Sequence, residues 1–367
     1  MNKRATAQHV ADLAGVSRST VSFVLNDVPG MRISEETRRR VLNAARQLDY
    51  HPDATARRMV SGQTRIIGFV LRQSPTQAFA DHFLPQVLNG LSQAAKAMGY
   101  HILIEPIPPE DTTGAYVKLI RERHVDGIIL SGPRSDDEEL IRIHSEGASI
   151  VLLGQLSGSG IPFVDVDNVG GAQLAVRHLT NLGHRRIAMI TNAPPAYTAS
   201  MDRLSGYRLA LQAAGIEYDA SLVRSGHFTP ESGYVAMSEL LTIDPLPSAV
   251  FVASDTVALG VLQALRQHGQ QVPDDIALVG FDDIPLSEFL DPPLTTVRLP
   301  AYNLGRGAAG LLIQIINEKK GYTPEVLLET ELVVRVSCGV KLAGSLNLKG
   351  KNWQTPGSKE IGEKIAY

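Results

Sequence analysis

The sequence predicts a small all-α head followed by an α/β body of two lobes, each built on a doubly wound parallel sheet. Three observations point that way. Residues 1–65 hold 11 Lys+Arg against 6 Asp+Glu, a balance of +5, which leaves 24 against 32, or −8, for the other 302. Within that basic segment apolar residues recur at helical spacing. Beyond it, short β-branched runs alternate twice over with longer amphipathic stretches, the pattern of strand–helix–strand units with right-handed crossovers. At 367 residues, 44% hydrophobic and 20% charged, the chain is long enough for more than one core. No apolar run reaches membrane-span length and Met1–Ala14 lacks the apolar block of a secretory signal, so a cytoplasmic protein without a membrane partner is expected. The single cysteine, Cys338, excludes an internal disulfide.

In "TAQHVADLAG" Thr6 is placed to cap a first helix of about eight residues, with Val10, Ala11 and Ala14 on one face and Gly15 as its stop. Ser17 then caps a second helix. Its Val21, Val24 and Leu25 face inward, which turns Arg18, Ser19, Ser22, Phe23 and Asn26 outward. Two short helices joined through a glycine turn form a helix-turn-helix, whose second helix enters the major groove when the motif binds DNA. An ordinary helical hairpin has the same spacing, and on spacing alone both readings stand. A basic head on an acidic body adds a polyanion as the head's expected partner. The candidate DNA-contacting residues of the head are Thr6, Ser17, Arg18, Ser19, Thr20, Ser22, Phe23 and Asn26. A third helix follows from Ser34, with Glu35 and Glu36 in its first turn and Val41, Leu42, Ala45 and Leu48 packing back. In "YHPDATARRMVSG" Pro52 breaks the helix and Asp53 caps a basic segment ending at Gly62, too short to be helical unless something docks it.

From residue 65, "RIIGFVL", "HILIEP", "DGIILSG" and "SIVLLG" read as buried parallel strands. Between the first two, Leu84, Val87, Leu88, Leu91, Ala95 and Met98 make one apolar helix face. A second cycle starts near Asn168, with strands in "RRIAMITN", "SAVFVASD" and "IALVGFDD". Two such units suit two lobes with a cleft between them, and ligands of open α/β sheets lie beyond the carboxyl ends of the strands. Asn192, Ser254, Asp255, Asp282 and Asp283 stand at those ends. Asp255 reads as the N-cap of the helix in "TVALGVLQAL". No G-x-S-x-G elbow, G-x-x-x-x-G-K loop or pair of metal-spaced histidines is present, so no enzyme activity, metal site or cofactor is expected.

"VADLAGVSRSTVSFVLN", "ISEETRRRVLNAARQLDYHPDATARRM", "HLTNLGHRRIAMI", and "GFDD" followed by "PPLTTV" together resemble the LacI/GalR family of bacterial transcriptional regulators, from about residue 5 to 339. The resemblance implies a repressor that binds double-stranded, pseudo-palindromic operator DNA as a homodimer. Its body would resemble periplasmic sugar-binding proteins, with a small-molecule effector, a sugar or a derivative, controlling operator affinity from between the lobes. Paired hinge segments would enter the minor groove, with Met59 as the wedge where the family has leucine, and Arg57 and Arg58 beside phosphates. The plain alternative for Met59 is a core residue under the hinge. In the body, Arg203 of "MDRLSGY" matches the ligand clamp, Phe228 a stacking aromatic, and Asp282 the acceptor of effector hydroxyls, while Ser254 stands where relatives often have asparagine.

Two residues depart from the family pattern: Phe23 replaces a common arginine, and Asp49 replaces a common glycine before the tyrosine. Phe23 could meet a thymine methyl or fold back onto the head's own core. The expected domains are 1–50 (head), 51–63 (hinge), 64–339 (body) and 340–367 (disordered tail). In the body the N-lobe spans about 64–166 and 297–328, and the C-lobe about 167–296 and 329–339. The tail lacks leucine heptads, so a dimer rather than a tetramer is expected. The protein would be cytoplasmic, and nucleoid-associated when on its operator. The competing reading, a solute-binding protein of a sugar transport system, shares the two-lobed body but explains neither the basic head nor the missing signal. A sugar-processing enzyme would need a catalytic set that is absent.

Overall fold

The computed structural model describes residues 5–25, 30–50, 62–111, 114–318 and 324–340. Asn26, Arg57, Arg58, Met59 and the segment after residue 340 lie outside the described residues. The chain opens with α1 (Ala7–Ala14), α2 (Arg18–Leu25) and α3 (Glu35–Gln47). Helices this short are marginal alone, and these three are held by a shared core of Val10, Ala11, Ala14, Val21, Val24, Val41, Ala44 and Ala45, edged by Val16, Leu25, Ile33, Leu42, Leu48 and Tyr50. Each start and stop has a local cause. Thr6 and His9 form a reciprocal capping box and Gly15 takes the left-handed conformation at φ 64°, which glycine adopts without strain. Ser34 accepts from the Thr37 amide, with Glu35 and Glu36 in the first turn beside the positive helix end. At the exit of α3, Asp49 sits at φ 48°, so the glycine of the family pattern answers a backbone requirement that aspartate meets only at a cost.

The rest of the chain alternates strand and helix. In order come β1 (Ile66–Leu71), α4 (Pro75–Ala80), α5 (Leu84–Ala97), β2 (His101–Pro106), α6 (Ala115–Arg121), β3 (Gly127–Ser131), α7 (Glu138–Ser145), β4 (Ile150–Leu153) and β5 (Phe163–Val166). Then follow α8 (Asn168–Asn181), β6 (Ile187–Ile190), α9 (Thr198–Ala213), β7 (Val223–Arg224), α10 (Pro230–Leu240), β8 (Ala249–Val252), α11 (Asp255–Gln267), β9 (Ala277–Asp282) and β10 (Thr295–Arg298). The chain ends on α12 (Ala301–Glu318), β11 (Glu325–Leu328) and β12 (Glu331–Val333). Two compact units result: one takes residues up to 168, 193–202 and 299–330, the other 169–192, 203–298 and those from 331 onward.

The first unit's sheet has the order β11-β5-β4-β3-β1-β2, with every pairing parallel. The second has the order β12-β10-β9-β8-β6-β7, parallel except that β12 runs antiparallel to β10. That edge strand departs from the all-parallel expectation, as edge strands of doubly wound sheets often do. All seven strands expected from the apolar runs form. β5, β7, β10, β11 and β12 lie outside those runs because they are only two to four residues long and carry polar positions, such as "FVDV" and "TTVR".

Helix packing in each unit depends on glycines that periodicity does not reveal. α5 and α12 cross at Gly90 and Gly305, where an added Cβ would collide with the Tyr302 and Val87 carbonyl oxygens respectively. α10 and α11 cross at Gly233 and Gly260 in the same way, against the Val257 and Pro230 carbonyls. Met98, expected on the buried face of α5, is 47% exposed. The helix ends at Ala97 and Met98 occupies the C-cap, where the helical period no longer sets its direction.

Candidate DNA-reading helix and ligand site

In α2, Val21 and Val24 are fixed in the head core, with Leu25 at its edge. Ser17 starts the helix by accepting from the Thr20 amide at 3.1 Å, and its hydroxyl lies 2.9 Å from that of Thr20. Arg18 and Ser19 are exposed, while Thr20, Ser22 and Phe23 are half-buried. Phe23 is not among the described side chains that pack on the head core. One face of the helix is therefore held and the other offers a guanidinium, hydroxyls and an aromatic ring, groups that read base edges and thymine methyls. Thr6 accepts from the His9 amide at 3.4 Å, which leaves its own proton free to donate. Arg38 on α3 is 4.0 Å from Glu35.

In the second unit the strand order reverses between β6 and β8, the position at which open α/β sheets hold ligands. Asn192 and Ser254 follow these two strands, and Asp282 ends β9. All three are buried. Asp282 sits at φ 121°, a conformation L-residues rarely adopt, and such strain concentrates at functional sites. Arg203 reaches the same place from α9: its Nη1 donates to the Ala253 carbonyl at 2.6 Å and lies 3.7 Å from Asp282 Oδ1. Its guanidinium stacks 3.9 Å from the centroid of Phe281. A buried guanidinium needs such partners to offset its lost hydration. Phe228, at φ 66°, is half-buried and donates its amide to the Asn192 carbonyl at 2.9 Å. Asn192 Oδ1 is buried with no hydrogen-bond partner. The structure thus brings Arg203, Ser254 and Asp282 to the strand ends of one unit, with Phe228 joined to them through Asn192. A carboxylate, a fixed guanidinium and an unsatisfied amide oxygen suit a ligand rich in hydroxyls.

Asp255 is not a helix cap. Ser254 occupies the N-cap position of α11, without a side-chain cap bond. The Asp255 carboxylate is fully buried instead and accepts from the Ile284 amide (3.2 Å), the Ser287 hydroxyl (2.6 Å) and the Thr296 hydroxyl (2.7 Å). Burial pushes its pKa up to about 6 despite these donors. Gly280 makes room for it, since a Cβ there would strike Asp255 Oδ1. Asp283 is also structural, accepting from Arg298 Nε at 2.6 Å and Arg335 Nη2 at 2.8 Å. Of the paired aspartates in "VGFDD", only Asp282 stands beside Arg203. The Phe281 ring beneath Arg203 was not legible as part of the site, because in sequence it is one more apolar residue of a buried strand.

No helix among the described residues is long and apolar enough to cross a membrane. Residues 6–53 match the family model described as bacterial regulatory proteins, lacI family, and residues 176–338 match a periplasmic binding protein-like domain. The chain is 37% identical over 341 residues to the HTH-type transcriptional regulator CelR of Thermobifida fusca, covering 91% of this chain and 98% of that protein. It is 31% identical to the HTH-type transcriptional repressor PurR of Vibrio campbellii, covering 90% and 98%. Among solved structures, a CelR–cellobiose complex matches with a TM-score of 0.69 at 36% identity, covering 91% of this chain and all of that one. The Lac repressor dimer bound to operator and the anti-inducer ONPF matches with a TM-score of 0.79 at 27% identity, covering 92% and 99%. A capped helix-turn-helix joined to two doubly wound units, matched along nine-tenths of its length by such regulators, makes this chain a member of the lacI family of bacterial regulatory proteins.

Proposed function

We propose that this protein is an effector-controlled repressor that binds operator DNA as a homodimer, with α2 in the major groove and a neutral sugar as effector. The observation that carries the DNA reading is the two-sidedness of α2: Val21 and Val24 are locked in the head core while Arg18 and Ser19 face outward. Thr6, Ser17, Thr20, Ser22, Phe23 and Asn26 complete the contacting set, and Arg57, Arg58 and Met59 engage the minor groove. Arg203, Phe228, Ser254 and Asp282 hold the effector. The cellobiose complex of CelR supports a saccharide, and the operator-bound Lac repressor dimer supports the assembly. The protein acts in the cytoplasm, on the nucleoid when bound, and carries out no catalysis.

Effector and operator affinities are linked, with a coupling of about 1–3 kcal/mol typical for such systems. The test is fluorescence anisotropy of a labelled fragment from upstream of the protein's own gene, with and without cellobiose, D-ribose, maltose or D-glucose. Specific binding that weakens steeply with salt, and an affinity changed about 5- to 150-fold by one of these sugars, is the expected result. No binding to any such fragment, with or without sugar, would sink the reading. Phe23→Ala should relax the preference at one base position with little effect on the salt slope.

A further inference from the structure

The chain enters the first unit's sheet through a clasp. Asp126, at the amino end of β3, is half-buried, and its carboxylate accepts from both residues that precede β1. Oδ1 takes the Thr64 amide at 2.6 Å and the Thr64 hydroxyl at 3.0 Å, and Oδ2 takes the Arg65 amide at 2.8 Å. The backbone is shaped for this. Arg65 lies at φ 55°, a left-handed conformation that is costly for a residue with a Cβ, and successive amides about such a residue turn to one side and form a concavity that holds an anion. The Asp126 amide in turn donates to the Ile66 carbonyl at 2.8 Å, so the residue grips the entering chain with main chain and side chain alike. The Arg65 guanidinium lies 5.1 Å from the centroid of the Tyr100 ring.

β1 itself does not need this clasp. It is paired with β2 from Ile66 to Leu71 and with β3 from Ile67 to Leu71, and its residues from Ile67 onward are buried, so ladder and core already fix its register. What the carboxylate holds is chain outside the ladder. Gly62, exposed and at φ 68°, makes a second left-handed turn just before the clasp, with nothing within 4 Å of an added Cβ. Met59 lies five residues before Thr64, a reach of at most about 18 Å, and Arg57, Arg58 and Met59 are the residues assigned above to the minor groove. A tether with a fixed origin confines its far end. Freeing its first residues enlarges the volume each head explores, and lowers the effective concentration at which the second head of a dimer meets its half-site.

We propose that Asp126 is a positioning residue for operator binding: by clasping Thr64 and Arg65 it fixes where residues 51–63 leave the body, and so favours two heads on two half-sites; this rests on the operator-binding homodimer read above. The test is fluorescence anisotropy of the full-length protein on its upstream fragment and on a random-sequence duplex of equal length, in the sugar condition that gives wild type its tightest binding, with thermal melting alongside. Asp126→Asn turns one accepting oxygen into a donor that faces an amide proton. Thr64→Val removes the hydroxyl and keeps both amides, and Glu122→Gln removes one charge from an exposed acid that bonds His124. Asp126→Asn should weaken the specific complex at least about fivefold and Thr64→Val at least about twofold. Random-sequence affinity should stay within about twofold of wild type for both, because it rests on phosphate contacts, and Glu122→Gln should leave the ratio of the two affinities unchanged. Inserting Gly-Ser-Gly-Ser after Gly62 lengthens the tether itself, so Asp126→Asn should cost little more in that background; a merely structural role would give additive losses. Additive losses, equal loss on both duplexes, or unchanged specific affinity in Asp126→Asn would each overturn the proposal and leave the operator reading standing. If Asp126→Asn does not fold, Thr64→Val decides by the same comparison. If wild type prefers no upstream fragment to random sequence, the operator reading and this one fall together.

Discussion

Replacing Asp255 by asparagine isolates the cost of one buried charge. The carboxylate is fully buried, and its pKa rises from 3.8 to about 6 because burial outweighs three hydrogen bonds. A carboxyl raised in the folded state contributes stability in full below its unfolded value, and that contribution is lost as pH climbs through about 6. The shift of about 2 units corresponds to about 3 kcal/mol at 1.36 kcal/mol per unit. In Asp255→Asn the amide oxygen still accepts from Ile284 and Ser287, and Thr296 can turn its hydroxyl to accept from Nδ2. Relative to wild type, the asparagine variant should therefore gain about 2 of these 3 kcal/mol between pH 4.5 and 7.5, or about 4–8 °C in melting temperature for a unit of this size. Asp255→Ala is the contrast. It leaves an amide and two hydroxyls facing each other without an acceptor, and should cost about 2–4 kcal/mol at every pH. Because Asp255 holds Ile284, two residues beyond Asp282, and adjoins Ser254, the alanine variant should also weaken sugar binding. The assay is thermal melting of all three proteins across that pH range, where shared titrations cancel in the differences. If the gap between wild type and Asp255→Asn is the same at pH 4.5 and 7.5, Asp255 is not a strained buried charge and the reasoning fails.

Two further outcomes concern backbone geometry. Gly260→Ala should destabilise the second unit severely, by more than about 3 kcal/mol, because overpacking here meets a rigid carbonyl rather than a side chain that can move. Gly310→Ala, also within a helix but with nothing within 4 Å of an added Cβ, should stabilise by about 0.5–1 kcal/mol; urea denaturation of both variants separates the cases, and equal effects would refute the close-approach account. Asp49→Gly should raise head stability by about 0.5–1 kcal/mol by relieving the left-handed backbone, seen as slower amide exchange in α3; a loss of protection would contradict it.

Local physics made much of this protein legible in one dimension. Thr6, Gly15, Ser17 and Ser34 mark where the head helices begin and end through bonds spanning three or four residues, so capping patterns locate them without any tertiary knowledge. Seven apolar strands declared themselves because strands covered on both faces are continuously hydrophobic. Ser254 and Asp282 could be singled out because polar residues at strand ends interrupt that pattern, whereas Arg203, inside a helix, was marked only by the family resemblance. Asp255 shows the limit. Its place before a helix said cap, but its three donors come from residues 284, 287 and 296, and no local rule reports a distance of 30 or 40 residues.

The glycines at 90, 233, 260 and 305 look like weak points of helices until two helix axes meet there. Thr64 and Asp126, 62 residues apart, become a pair only when β1 and β3 lie side by side. What the sequence by itself determined is where elements start, which face is apolar, and that the basic charge is concentrated in the head. Which polar groups are buried together, and which bond each other, was decided by the tertiary structure, because desolvation and hydrogen-bond geometry depend on neighbours that chain order does not specify.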